Sequence, residues 1–312
     1  MANGAKKVAV IGAGNVGATC AFVLAERKVG EVVLLDIYEG FAKGKALDMS
    51  QGGRVLNYDG RVIGTKDYAD IANSDVVVVT SGFPRQPGMT REDLIGKNAD
   101  IVSQVGEGIR QHAPNSIVVM VTNPLDLMTY HMQKVTGFEH SRVVGQAGIL
   151  DSARMTHFIA QAVGCSNEDV QAMVLGGHGD TMVPLPRYTT VNGIPVSQLL
   201  SDEEVEEICQ RTASGGGEIV KLLEKGSAFY APGSAAAIMA EAILDDRKRV
   251  LPCSTHLTGE YGMNDIYIGV PVVLGRNGVE RIIELELAEN ELNSLQGSGS
   301  FYKEQLSEIL GY

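Results

Sequence analysis

The sequence predicts an α/β protein built on a doubly wound parallel sheet, with a mixed α+β domain after it. Three observations lead there. Short runs of β-branched residues alternate with helical stretches through the first half of the chain. A glycine pattern, GAGNVG at residues 12–17, sits between the first such run and the first helical stretch. After about residue 150 the alternation gives way to a different rhythm.

The strand-like runs are KVAVIG (7–12), VVLLD (32–36), DVVVVT (75–80), SIVVMVT (116–122) and RVVG (142–145). Continuous apolar runs of this length suit strands buried on both faces, as in a parallel sheet covered by helices. Between them, NVGATCAFVLAERK and REDLIGKNADIVSQVGEGIRQ read as helices, and strand–helix alternation implies right-handed crossovers. In the second half, DSARMTHFIAQAVG reads as a helix leading to a short strand that ends at the glycines of VLGGHGD. Asn192-Gly193 signals a hairpin. Two helical segments follow, one carrying SGGGE, whose glycines should weaken or kink it. The runs RVLPCSTHL, IYIGVPVVLG and RIIELEL read as strands, and a last helix reaches Tyr312. The division predicted is residues 1–147 and 148–312.

Composition narrows the function classes. With 312 residues and 44% apolar content the chain has the material for a sizeable core. It carries 38 Asp plus Glu against 26 Lys plus Arg, a net charge of -12, which argues against nucleic acid as a partner. An acidic surface still permits a cationic pocket for a small anion. Cys20, Cys165, Cys209 and Cys253 are widely spaced without a CxxC pair, and the six histidines show no ligand spacing. Reduced thiols in a cytoplasmic protein without a metal site are expected. The start, MANGAKKVAVIGAG, reads as a first strand rather than a signal peptide, and no stretch approaches the length of a membrane span.

Gly12, Gly14 and Gly17 satisfy GxGxxG, with Ala13, Asn15 and Val16 between them. That spacing provides a tight turn, a close backbone approach to a pyrophosphate and close helix–strand packing. Asp36 ends the next strand, about twenty residues on, where a carboxylate accepts the adenosine ribose hydroxyls and repels a 2′-phosphate. A Rossmann-type NAD site is expected, with NAD favoured over NADP. Further along, single residues read either way. His178 in LGGHGDT is an acid/base candidate or simply closes a turn. Asp151 and Arg154 in LDSAR could be a helix cap and an i,i+3 ion pair. Asn123 before Pro124 commonly marks a turn. Their joint occurrence downstream of a nucleotide fingerprint favours a functional set.

Through GAGNVG, PRQPGMTR, VTNP, LDSAR and GGHGD, the chain resembles the lactate/malate dehydrogenase family essentially end to end, and its lactate-dehydrogenase-like malate branch in particular. The resemblance implies that His178 accepts the proton, that Asp151 orients and charges its imidazole, and that Arg154 binds the C1 carboxylate of the substrate. It implies that Asn123 binds the substrate oxygen, and that Asn98 and the Val121, Thr122 and Asn123 backbone line the cofactor. Arg91 matches the loop arginine that polarises the carbonyl as the loop closes. Arg85 falls where the family reads the far end of the substrate, a place where lactate dehydrogenases carry glutamine. An arginine there suits a second carboxylate, since its planar fork gives bidentate bonds. Leaving that charge unpaired in a closed site implies on the order of 3–5 kcal/mol of discrimination, roughly 10² to 10⁴ in relative kcat/KM. Small residues in SAFYAPGSAAA, Ala228 among them, mark a second departure from the lactate pattern.

The function expected is reversible NAD-dependent oxidation of (S)-malate to oxaloacetate, with a small dicarboxylate as substrate and no nucleic acid or membrane as partner. A homo-oligomer is expected, with a tetramer favoured and a dimer possible, and helix 39–50 is a candidate contact face. The alternatives are lactate or broad 2-hydroxy-acid oxidation and, more remotely, a non-catalytic NAD-binding protein.

Overall fold

The computed structural model describes residues 6–83 and 90–312, and of Arg91 the backbone alone. Six strands make the parallel half of the sheet: β1 (Lys7–Ile11), β2 (Glu31–Leu35), β3 (Val62–Thr65), β4 (Val76–Val79), β5 (Ile117–Met120) and β6 (Val143–Gly145). Their order is β3-β2-β1-β4-β5-β6, so the strand order reverses between β1 and β4. A crevice at such a switch point, beyond the carboxyl ends of the strands, is where this architecture takes ligands. All four valines of β4 are buried, and each stabilises the fold by about 1.5–3 kcal/mol relative to exposure. The edge strand β3 has no counterpart among the sequence runs. Its two central residues are only half-buried and one is Gly64, so the apolar signal is diluted.

Helices α1 (Asn15–Glu26), α2 (Glu39–Leu56), α3 (Arg91–His112) and α4 (Leu125–Thr136) form the crossovers. Thr90 caps α3 in a capping box with Asp93, which satisfies two orphan donors and sets where the preceding loop ends. The Asn123–Pro124 peptide before α4 is cis.

Helix α5 (Gly148–Val163) opens the second half. It leads to β7 (Val170–Gln171), β8 (Val174–Gly176) and β9 (Met182–Pro184), and then to the hairpin β10 (Thr190–Val191) and β11 (Ile194–Pro195). Asn192 and Gly193 turn that hairpin with φ of 47° and 84°, the double positive φ of a type I′ turn. Helix α6 (Asp202–Leu223) runs unbroken through Ser214–Glu218, so the expected kink is absent. Helix α7 (Tyr230–Leu244) follows, then the long antiparallel pair β12 (Arg249–Thr258) and β13 (Asn264–Gly275), then β14 (Gly278–Ile282) and α8 (Glu289–Gln305). Strand β14 stops at Ile282, well short of the end of the RIIELEL run predicted as a strand. The rest of that run, with its alternating acids, packs Leu285 and Leu287 on the core from an irregular segment. Strand β6 pairs with β12 through Ser254 and Gly145, so among the described residues one sheet of eleven strands joins both halves.

Candidate active site

Strand β8 ends in Gly176, with φ of 84°, and the chain turns through Gly177, His178 and Gly179. A Cβ at Gly177 would lie 1.9 Å from the Tyr302 ring on α8, so only glycine lets the loop lie against that helix. Three helices hold the turn. Ser298 of α8 accepts the Gly177 amide at 3.0 Å, Asp126 of α4 accepts the His178 amide at 2.9 Å, and Asp151 of α5 meets His178 Nδ1 at 2.9 Å. Ser152, beside Asp151, accepts the amide of Val174 at 3.0 Å and so fastens the start of α5 to the strand that carries the histidine.

Asp151 is 1% exposed. It is not a helix cap, because α5 begins at Gly148 and lacks a side-chain cap. Its Oδ2 faces His178, while its Oδ1 accepts Arg154 Nη1 at 3.1 Å. The i,i+3 ion pair and the histidine–carboxylate pair are therefore one buried group. Burial pulls the imidazole pKa down, but Asp151's charge and hydrogen bond, aided by the charge of Asp126, outweigh it against Arg154, and the net shift is upward. Among the described residues Nε2 of His178 is left free, on a ring whose other nitrogen is fixed by a carboxylate. Such an imidazole can take a proton from an alcohol and return it to a carbonyl.

The glycines of α6 have a use here. A Cβ at Gly215 would lie 3.2 Å from Cδ of Arg154, and one at Gly216 would lie 3.5 Å from its Nη2. The SGGG stretch is a flat helical face against which the guanidinium lies. A rigid cation of this kind suits a substrate carboxylate.

At the switch point the first turn is equally specific. Gly12 has φ of +104°, and a Cβ at Gly17 would sit 1.9 Å from the Gly12 carbonyl oxygen. A Cβ at Gly14 would meet nothing within 4 Å, so the turn is open on that side. Helix α1 starts there with no side-chain cap and no acid in its first turn, leaving its amides available to an anion. Asp36 Oδ2 accepts the Ala13 amide at 2.7 Å and its Oδ1 accepts the Tyr38 amide at 3.0 Å. Lys45 of α2 donates to the Ala13 carbonyl at 2.8 Å. Burial lowers its ammonium pKa, partly offset by Asp36.

Residues 6–145 match the lactate/malate dehydrogenase NAD binding domain, and residues 149–311 match the lactate/malate dehydrogenase alpha/beta C-terminal domain. The chain belongs to the lactate/malate dehydrogenase family. It is 52% identical to a malate dehydrogenase of Methanosarcina mazei, over 97% of this chain and 99% of that one. The solved malate dehydrogenase of Salinibacter ruber superposes with a TM-score of 0.94 at 50% identity, covering 97% of each chain. A lactate dehydrogenase of Cryptosporidium parvum, solved with lactic acid and nicotinamide adenine dinucleotide, superposes with a TM-score of 0.94 at 43% identity, covering 98% of each. This member of the family is an oxidoreductase that uses NAD, and the open glycine turn, the uncapped α1 amides and Asp36 fit that cofactor.

Other residues expected at the site fall as follows. Asn98 is 2% exposed and its amide is occupied: Oδ1 accepts Phe83 N at 2.6 Å, and Nδ2 donates to Asn123 O at 2.7 Å. It braces the two segments that border the crevice. Thr122 is buried and donates to Ser81 O at 2.6 Å, Val121 is half-buried, and the side chain of Asn123 is exposed. Arg85 lies outside the described residues, as does the side chain of Arg91, so their assigned roles rest on sequence alone. Among the described residues no group of three or more His, Cys, Asp or Glu could hold a metal ion.

Sequence reasoning passes over Asp126, Ser254, Ser298 and Lys45. Asp126 carries a signal, being the one charge in the apolar run PLDLM, where a buried acid must find partners. The serines and Lys45 carry none, since their partners are remote in sequence.

Proposed function

We propose that this protein is an NAD-dependent malate dehydrogenase, interconverting (S)-malate and oxaloacetate, with residues 1–147 as the NAD-binding unit and 148–312 as the catalytic unit. The observation that carries the chemistry is the His178–Asp151 pair at 2.9 Å with Arg154 on the other carboxylate oxygen. Neutral His178 receives the hydroxyl proton of malate at Nε2, and Asp151 stabilises the imidazolium that forms. In the opposite direction the imidazolium returns the proton to the carbonyl oxygen. Arg154 binds the carboxylate next to the reacting carbon, and Asn123 and Arg91 hold and polarise the oxygen that changes charge. The glycine turn and Asp36 would hold NAD, whose nicotinamide would supply the hydride acceptor for the alcohol carbon.

The choice of malate over lactate rests on Arg85. A guanidinium at the far end of the substrate pairs with a second carboxylate and is left unpaired by a methyl group. The relatives named malate dehydrogenase, such as those of Methanosarcina mazei and Rhodopirellula baltica at 52% identity, support the same choice. The deciding measurement is NADH consumption with oxaloacetate and with pyruvate, repeated with NADPH. Oxaloacetate with NADH should lead by a factor of about 10² or more. A lead for pyruvate would reassign the protein to lactate, and no turnover with either would leave an NAD-binding protein without catalysis.

The assembly proposed is a homo-oligomer, preferably a tetramer, in the cytoplasm. Its support is an apolar surface on and beside α2, where Ile37 is 80%, Tyr38 71%, Leu47 60% and Val55 83% exposed. The four cysteines are widely spaced and none is paired in a disulfide, in keeping with a reducing compartment.

A further inference from the structure

Asp126 lies in the first turn of α4 among buried Leu125, Leu127 and Met128, and is itself 1% exposed. A carboxylate removed from water in this way persists only where its oxygens are bonded. One oxygen accepts the backbone amide of His178 at 2.9 Å and the other accepts the hydroxyl of Ser254 on β12 at 2.6 Å. Asp126 thus holds the acid/base residue by its main chain, while Asp151 holds it by its ring.

Among the described residues, titratable groups face His178 from three helices. Helix α5 contributes Asp151 and Arg154, α4 contributes Asp126, and the Tyr302 phenol of α8 lies against Gly177. On the histidine's own loop, Asp180 is exposed to water. Burial pushes the Asp126 carboxyl up to about 6, against the Ser254 hydroxyl and the amide and charge of His178, which draw it down, while Asp151's charge adds to the rise. An ionised Asp126 is therefore an expensive group that an adjacent imidazolium compensates.

We propose that Asp126 is a positioning residue for the acid/base step, fixing the His178 main chain together with Ser254 and adding a second negative charge that favours the imidazolium. This rests on the reading of His178 as the proton acceptor. Asparagine in its place keeps the shape and one acceptor oxygen but removes the charge, so His178 releases its proton at lower pH. Malate oxidation needs the neutral ring and oxaloacetate reduction needs the charged one. The acid limb of the first profile and the alkaline limb of the second both move down, by on the order of one pH unit.

Stability separates this role from mere scaffolding. Because the folded-state pKa of Asp126 is raised, folding is favoured while the group is protonated, and that advantage is lost as pH rises through about 6. Above that pH a neutral carboxamide at the same position escapes the cost, so Asp126→Asn should keep or raise the melting temperature while the catalytic limbs shift. A carboxylate serving structure alone would leave both limbs in place.

The test is the pH dependence of kcat/KM in both directions for the wild-type protein, Asp126→Asn, Ser254→Ala and His178→Asn, with melting temperatures alongside. Ser254→Ala should move the limbs the same way by less, and it carries the test if Asp126→Asn does not fold. Limbs unmoved in a folded Asp126→Asn, or in Ser254→Ala where that is the only folded variant, would overturn the proposal. Turnover surviving in His178→Asn would instead overturn the acid/base reading beneath it.

Discussion

The nucleotide turn and the catalytic loop are both glycine-rich ends of buried strands, and they are held in opposite ways. Around Gly12 the partners all come from the NAD-binding half: Asp36 is 23 residues and Lys45 is 32 residues from Ala13, and Thr80, just after β4 and 68 residues from Gly12, donates to its carbonyl at 3.0 Å. Around His178 they come from both halves of the chain, with Asp151 at 27 residues, Asp126 at 52, and Ser298 at 121 from Gly177. The first is a shape closed within the NAD-binding half, offering backbone amides to a common cofactor. The second is a convergence of α4, α5 and α8 that exists only once both halves of the chain have packed. Recognition of the cofactor is built within one half of the chain, whereas the catalytic loop needs both.

The difference can be broken at either end. The largest effect should come from His178→Asn, which removes the proposed proton acceptor and leaves the glycine turn intact. Turnover should fall by about 10³-fold or more while NADH affinity, read by fluorescence titration, stays near the wild-type value. Equal losses in both would mean that the two regions are not separable. Next is Arg85→Gln, which alters neither region but the proposed contact to the far end of the substrate. Oxaloacetate reduction should drop by about 10²-fold, with pyruvate reduction level or higher in steady-state kinetics. An unchanged preference would remove Arg85 from the specificity argument.

Gly17→Ala attacks the local turn. Its new methyl would meet the Gly12 carbonyl at 1.9 Å, so NADH affinity should fall by about tenfold or more, with a melting temperature several degrees lower. Calorimetry and titration showing neither change would mean that the α1–β1 contact yields freely. The smallest effect should be Lys45→Met, which deletes one hydrogen bond to the Ala13 carbonyl and a charge beside Asp36. A loss of about 1 kcal/mol, a factor of about 5 in NADH affinity with kcat retained, is expected. A matching fall in kcat would place Lys45 in the chemistry instead.

The same contrast explains what was legible beforehand. The buried runs of β1, β2, β4, β5 and β6, the glycine turn with Asp36 and the type I′ hairpin at Asn192-Gly193 all follow from local periodicity and turn chemistry, and the sequence by itself determined them. It also placed His178, Asp151 and Arg154 in motifs short enough to recognise. Only the tertiary structure decided that Asp151 divides its two oxygens between Arg154 and His178. It also decided that α6 runs unbroken and sets Gly215 and Gly216 against Arg154, and that Asn98 is spent on bracing Phe83 and Asn123. The Asp126–Ser254 bond, spanning 128 residues, was settled only there as well. The reason is physical. A strand or turn is specified by interactions within a few residues, but a buried polar group is specified by whichever donors the completed packing brings to it.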